Sequence, residues 1–274
     1  MKYYVSSLFL FLCMALHAQQ YDALLLVHFG TTHDATRSKT IDAINTQARQ
    51  QFPNMKVSDC FSSDIVIKRL AAQGISKMMP TDALLKLRTE GCRRVFVQPT
   101  YIIDGIKMNK LRQEVEKLRP FFDDIEIGTP LLYGVDDVQR VCDILTARHP
   151  ADQKKREHVL FVGHGTEGPA TAIYSQMDYM LKANGWSLHH VCTIEGYPKL
   201  ENAIAKLKAQ KCRQVTLIPL LFVAGDHAAN DMAVEWKNAL EQAGFTVRVV
   251  MEGLGEVPEV QQMFIEKVKK GYCW

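Results

Sequence analysis

The chain has 274 residues, 47% of them hydrophobic and 23% charged, with a formal net charge of +3. That balance supports a buried core of one large or two ordinary domains and excludes a disordered chain. The small charge and the lack of any Lys/Arg run exclude a nucleic-acid-binding stripe.

The chain opens with "MKYYVSSLFLFLCMALHAQQ", in which Lys2 precedes an apolar stretch over 5–16 and then Ala18. This pattern predicts a secretory signal over 1–18, cleaved after Ala18, and a periplasmic mature chain that begins at Gln19. Cys13 follows the large Leu12, which fits a lipoprotein site poorly. The apolar stretch is short for a membrane span, and no later segment approaches one. Six cysteines follow the signal: Cys60, Cys92, Cys142, Cys192, Cys212 and Cys273. None forms a CxxC pair, and most lie beside apolar runs. Buried free thiols are expected for at least four of them.

After the signal, apolar strand-like runs alternate with helix-like stretches. "ALLLVHFG" (23–30) precedes a helical stretch over about 35–51. "MKVSDCF" precedes a second, which runs through "DALLKLRTEG". "RRVFVQPTYI" leads into "KMNKLRQEVEKLRPFF", where Met108, Leu111, Val115 and Leu118 recur at helical spacing. "DIEIGTPLLYG" closes the first half. This β-α alternation predicts parallel sheets with helices on both faces. The second half then repeats the first. "GCRRVFVQPTYIIDG" matches "KCRQVTLIPLLFVAGD", "FGTTHDAT" matches "HGTEGPAT", and "YGVDDVQ" matches "GEVPEVQ", in the same order. The expectation is two similar α/β lobes, 19–138 and 139–274, with a ligand cleft between them. The last helix is free to pack back on the first lobe.

Side chains just past the carboxyl ends of parallel strands meet at one edge. In the second half "VLFVG" is followed by His164, "HVCTI" by Glu195 and "VTLIPLLFVAGD" by His227. Two imidazoles and one carboxylate suit a divalent first-row metal with open positions, or proton transfer near neutral pH. Taken singly, His164 reads as a turn residue, Glu195 as the partner of a neighbouring turn, and His227 as a helix cap. Asp226 is the better cap by type. In the first half His28 and His33 flank "FGTT" at the matching strand end, and Tyr101 follows "VFVQPT". Each has two readings: a contact to a ligand in the cleft, or a satisfied turn or core-rim residue. No GxxxxGK[ST] or GxGxxG is present, which disfavours nucleotide binding.

Together, "LLLVHFGTTHDAT", "VFVQPTYIIDG", "LFVGHGT", "IEGYP" and "IPLLFVAGDHAANDM" resemble the CbiK-type anaerobic sirohydrochlorin cobaltochelatases, over essentially all of the mature chain. The resemblance implies two flavodoxin-like lobes of the class II chelatase fold around a tetrapyrrole cleft. It implies insertion of Co2+, or Fe2+, into sirohydrochlorin without ATP. It implies that His164, Glu195 and His227 are the catalytic and metal-binding trio. Proton removal from the macrocycle then assigns His164 as the base, with His227 and Glu195 orienting the ion. The carboxylates of such a substrate call for basic residues at the rim, for which Arg37, Lys39 and Lys107 are candidates. A homo-oligomer is compatible with this reading. Two positions depart from the family pattern. Tyr101 stands where members often carry His, which leaves haem ligation in doubt or shifts it to tyrosinate. "HFGTT" stands where "SFGTS" is commoner, so His28 is an added imidazole. The alternative function is a periplasmic haem- or metal-binding protein of the same fold without turnover. A two-lobed solute-binding protein is a third option.

Overall fold

The computed structural model describes residues 21–225 and 228–271, without the side chains of 228–231. The signal segment, Asp226, His227 and Cys273 lie outside the described residues.

The first lobe is built on β1 (Ala23–His28), β2 (Lys56–Phe61), β3 (Arg94–Pro99) and β4 (Asp124–Ile127). They form a parallel sheet in the order β2-β1-β3-β4. All six residues of β1 are buried, as expected for a central strand covered by helices on both faces. The second lobe uses β5 (Glu157–Gly165), β6 (His189–Glu195), β7 (Gln214–Leu220) and β8 (Thr246–Val249), in the order β6-β5-β7-β8. The two orders are the same arrangement shifted by four strands. The sequence repeat is thus a repeat of topology, and β5 is the counterpart of β1.

The helices are α1 (Asp34–Arg37), α2 (Ala43–Gln51), α3 (Asp64–Ala71), α4 (Pro80–Thr89), α5 (Ile106–Leu118), α6 (Val135–Arg148), α7 (Ala172–Ala183), α8 (Leu200–Ala209), α9 (Lys237–Gln242) and α10 (Pro258–Gly271). Their starts follow local chemistry. The Ser63 hydroxyl accepts the Val66 N–H at 3.4 Å before α3, and Pro80 opens α4. A π-helical stretch, Ser38–Asp42, joins α1 to α2, and another, Ala228–Trp236, leads into α9.

Two helices tie the lobes together. Helix α6 ends the first half of the chain, but its Val141, Cys142 and Leu145 lie in one core with Val159, Phe161 and Tyr174 of the second lobe. Helix α10 ends the second half, but its Ile265 and Val268 pack with Leu24, Leu26 and Phe96 of the first. Charge pairs hold these two helices side by side: Lys267 Nζ donates to Asp137 Oδ2 at 2.6 Å, and Arg140 pairs with Glu266. Among the described cysteines, Cys60, Cys92, Cys142 and Cys192 are buried free thiols, and Cys212 is a half-buried one. No helix among the described residues is long and apolar enough to cross a membrane.

Candidate metal-insertion site

The site is built where β5 ends. Gly163 and Gly165 flank His164 for two different reasons. A β-carbon at Gly163 would lie 2.2 Å from the Tyr174 ring, so the ring of α7 packs directly on the strand. Gly165 has φ +76°, and a β-carbon there would lie 1.8 Å from the Glu195 carbonyl oxygen. Only glycine combines that backbone conformation with that approach. Gly163 therefore lets α7 close on β5, and Gly165 lets β5 and β6 close together just where their terminal side chains emerge. Gly165 pairs in register with Glu195.

His164 and Glu195 consequently sit side by side. His164 Nδ1 is 3.9 Å from Glu195 Oε2 and 3.2 Å from the Gly165 carbonyl oxygen. A carbonyl only accepts, so Nδ1 carries the proton of the neutral ring and the basic lone pair falls on Nε2. Both side chains are open to solvent, His164 at 39% and Glu195 at 56% exposure. The turn after Glu195 is tied back to the turn after His164. Thr193 donates its N–H and its hydroxyl to the Pro198 carbonyl at 2.7 and 3.0 Å, and the Thr171 hydroxyl donates to the Tyr197 carbonyl at 3.3 Å. The Tyr197–Pro198 peptide bond is cis.

His227 lies outside the described residues. Gly225, two residues earlier, approaches the first lobe: a β-carbon on it would lie 3.6 Å from Thr31 Oγ1 and 3.9 Å from His33 Cδ2. His33 is exposed at the start of α1. Among the described residues no three His, Cys, Asp or Glu side chains converge as a metal site. A cavity of about 590 Å3 opens between the lobes beside this edge. Ile103, Ile106, Leu132 and Tyr133 line it from the first lobe, and Thr166 and Ile173 from the second.

Two residues expected to offer ligand contacts do not face this cleft. His28 is fully buried. Its Nε2 lies 3.0 Å from Asn45 Oδ1 and its Nδ1 2.9 Å from Thr100 Oγ1, and its ring stacks on Phe222 of the second lobe. Burial lowers its pKa to about 4, so it is a neutral, doubly satisfied core histidine. The sequence placed it at the strand end, but the register turns it inward. Tyr101 is 8% exposed within the core of the first lobe. Burial pushes its phenol well above the usual value, which opposes a tyrosinate. Neither residue fits an axial haem ligand.

The basic candidates divide. Arg37 pairs with Asp34 at 2.8 Å and Asp42 at 3.6 Å, and Lys39 faces Glu256 at 3.9 Å. Lys107 instead lies over the exposed Phe29 ring, 5.3 Å from its centroid. Sequence reasoning missed Phe29, although the match of "FGTTHDAT" to "HGTEGPAT" aligns it with His164.

Residues 22–272 match the family model described as "Cobalt chelatase (CbiK)". The chain belongs to the CbiK cobalt chelatase family. It is 35% identical over 248 residues to the sirohydrochlorin cobaltochelatase of Salmonella typhimurium, covering 89% of this chain and 93% of that one. It is 33% identical over 239 residues to the sirohydrochlorin cobaltochelatase CbiKC of Nitratidesulfovibrio vulgaris, covering 85% and 84%. Its fold is similar to SirB from Bacillus subtilis with Fe3+, at a TM-score of 0.64 and 12% identity, covering 93% of this chain and 96% of that one. That likeness is one of fold, two lobes each built on a parallel sheet.

Proposed function

We propose that this chain inserts Co2+ into sirohydrochlorin without ATP, with Fe2+ as a second metal. The observation that carries the reading is the pairing of His164 with Glu195 at the carboxyl ends of β5 and β6, with His164 two residues before Thr166, which lines the interlobe cavity. The family membership and the names of the two relatives support the macrocycle and the metal.

The chemistry follows from the residues. Two pyrrole N–H protons must leave as the ion enters. The Nε2 lone pair of a neutral His164 can accept a proton, and the Glu195 carboxylate offsets charge on the incoming ion. By the sequence reading, His227, which follows the run "VTLIPLLFVAGD", is the third group. An ion held by three side chains with open positions can be passed on, whereas a closed four-ligand site would retain it. The signal-like start of the chain supports action outside the cytoplasm, and sequencing the amino terminus of protein from the periplasmic fraction tests cleavage after Ala18.

The test of the activity is anaerobic absorbance spectroscopy of sirohydrochlorin with Co2+, then Fe2+, at catalytic protein concentration. Many turnovers are expected from the wild type. His164→Ala should slow metallation by roughly 100-fold or more. Stoichiometric binding of the macrocycle or metal without turnover would reject the chelatase reading, and undiminished turnover in both His164→Ala and His227→Ala would remove the histidines from the mechanism.

A further inference from the structure

We infer that Phe29 and Lys107 form the seat for the macrocycle on the first lobe: the ring packs on one face of the tetrapyrrole and the ammonium pairs with one of its peripheral carboxylates. This rests on the proposed tetrapyrrole substrate and names the residues that recognise it.

Three independent placements converge on these two residues. The first is the repeat. Phe29 follows β1 as His164 follows β5, so the pseudosymmetric lobe presents an aromatic ring where its partner presents the base. The second is surroundings. His28, just before Phe29, stacks on Phe222 of the second lobe, and Thr31, two residues after it, lies beside Gly225. Phe29 itself is 40% exposed at that junction. A large apolar ring left exposed at the junction of two lobes suits a flat ligand face.

The third placement is charge. Lys107 is next in sequence to Ile106, which lines the interlobe cavity. Nearby Arg112 is neutralised by Asp104, with bonds of 2.6 and 2.7 Å. Lys107 has no such partner among the described residues. Its Nζ lies over the Phe29 ring and 3.5 Å from the Ser62 carbonyl oxygen. Its place in the first turn of α5 adds a cation to the positive end of the helix dipole, so the charge does not stabilise the helix. An ammonium held over an exposed ring, one helix position from a cavity-lining residue, fits a ligand that is flat in its body and anionic at its edge. Sirohydrochlorin, with its carboxylate arms, is such a ligand.

The test is equilibrium titration of metal-free sirohydrochlorin into wild type, Phe29→Ala, Lys107→Glu and His164→Ala, with thermal unfolding of each as the folding check. Lys107→Glu should raise Kd by about tenfold or more, since a charge-assisted bond becomes a repulsion. Phe29→Ala should raise it about threefold to tenfold. His164→Ala should still bind the macrocycle while metallating it roughly 100-fold or more slowly. The KM for Co2+ should be unchanged in Phe29→Ala and Lys107→Glu. A parallel titration compares an octacarboxylate porphyrin with a dicarboxylate porphyrin, and Lys107→Glu should weaken the first more than the second. Equal Kd values for wild type, Phe29→Ala and Lys107→Glu would overturn the seat while leaving the chelatase reading intact. A folded wild type that binds no tetrapyrrole would overturn both.

Discussion

Gly165 carries as much of the site as the residues that do chemistry. Its positive φ and its contact with the Glu195 backbone fix how far β5 lies from β6, and hence the distance from His164 to Glu195. Gly165→Ala meets both a left-handed backbone and a carbonyl oxygen within bonding range. A cost of about 3 kcal/mol or more is expected, read as a lower urea midpoint, because the opposing atom is backbone and cannot rotate away. At the same scale, buried neutral histidines set the acid behaviour. Burial lowers the pKa of His28 to about 4 and of His190 to about 3. His190 stacks on His158, with ring nitrogens 2.9 Å apart. Their unfolded forms take a proton near the ordinary histidine pKa of about 6.5, well before the folded forms do. The stability these groups supply is therefore complete above about pH 6.5 and declines as pH falls toward 4 for His28 and 3 for His190. Each contributes at most about 1.4 kcal/mol per pH unit in that window. Urea midpoints measured at several pH values should fall accordingly, and His28→Gln should flatten the slope. A midpoint independent of pH from 7 down to 4 would show that His28 is not held neutral in the folded chain.

At the scale of elements, the exchange of α6 and α10 between lobes decides what covers each sheet. Phe264 of α10 is fully buried and meets Phe222 edge-on at 5.7 Å, in a core that also holds Ile41 and Phe61 of the first lobe. Phe264→Ala should cost about 3–5 kcal/mol, measured by chemical denaturation, because the cavity opens where elements of both lobes meet and none can close it alone. This exchange also marks the limit of what the sequence reveals. The strands were legible because β1, β3, β5 and β7 are continuous apolar runs, and helix α5 because Met108, Leu111, Val115 and Leu118 share one face. The pairing of His164 with Glu195 was legible because parallel strands deliver their following residues to one edge. Hydrophobic spacing says that Ile265 and Val268 are buried, but not that Leu24 and Phe96 bury them. It also cannot separate His28, the last residue of β1 and turned inward, from Phe29, the next residue and turned out. That distinction depends on the pleat and on what Asn45 and Thr100 offer from other elements.

For the whole molecule, these crossings argue against two lobes that behave as separate bodies. The largest core runs from Ile41, Ile44 and Phe61 through α6 and α10 to Phe161, Tyr174 and Met177, so it belongs to neither lobe. The His28–Phe222 stack adds a second apolar link close to the cleft. Lobes joined only by a linker would each keep a core and unfold in turn. Here, removing the order of one lobe strips a covering helix from the other. Unfolding should therefore be a single transition even in a chain long enough for intermediates to be common. Trp186 and Trp236 lie in the second lobe, so with Trp274→Phe as the background their fluorescence reports on it, whereas far-UV circular dichroism reports on all helices. The two signals should trace one normalised curve against urea, and Phe264→Ala should shift both by the same amount. A dichroism change that precedes any change in tryptophan fluorescence would show the first lobe melting alone. The cleft would then be a hinge, whereas a single curve makes it a wall fixed by the shared core, holding Phe29 and His164 on opposite lobes in one rigid frame.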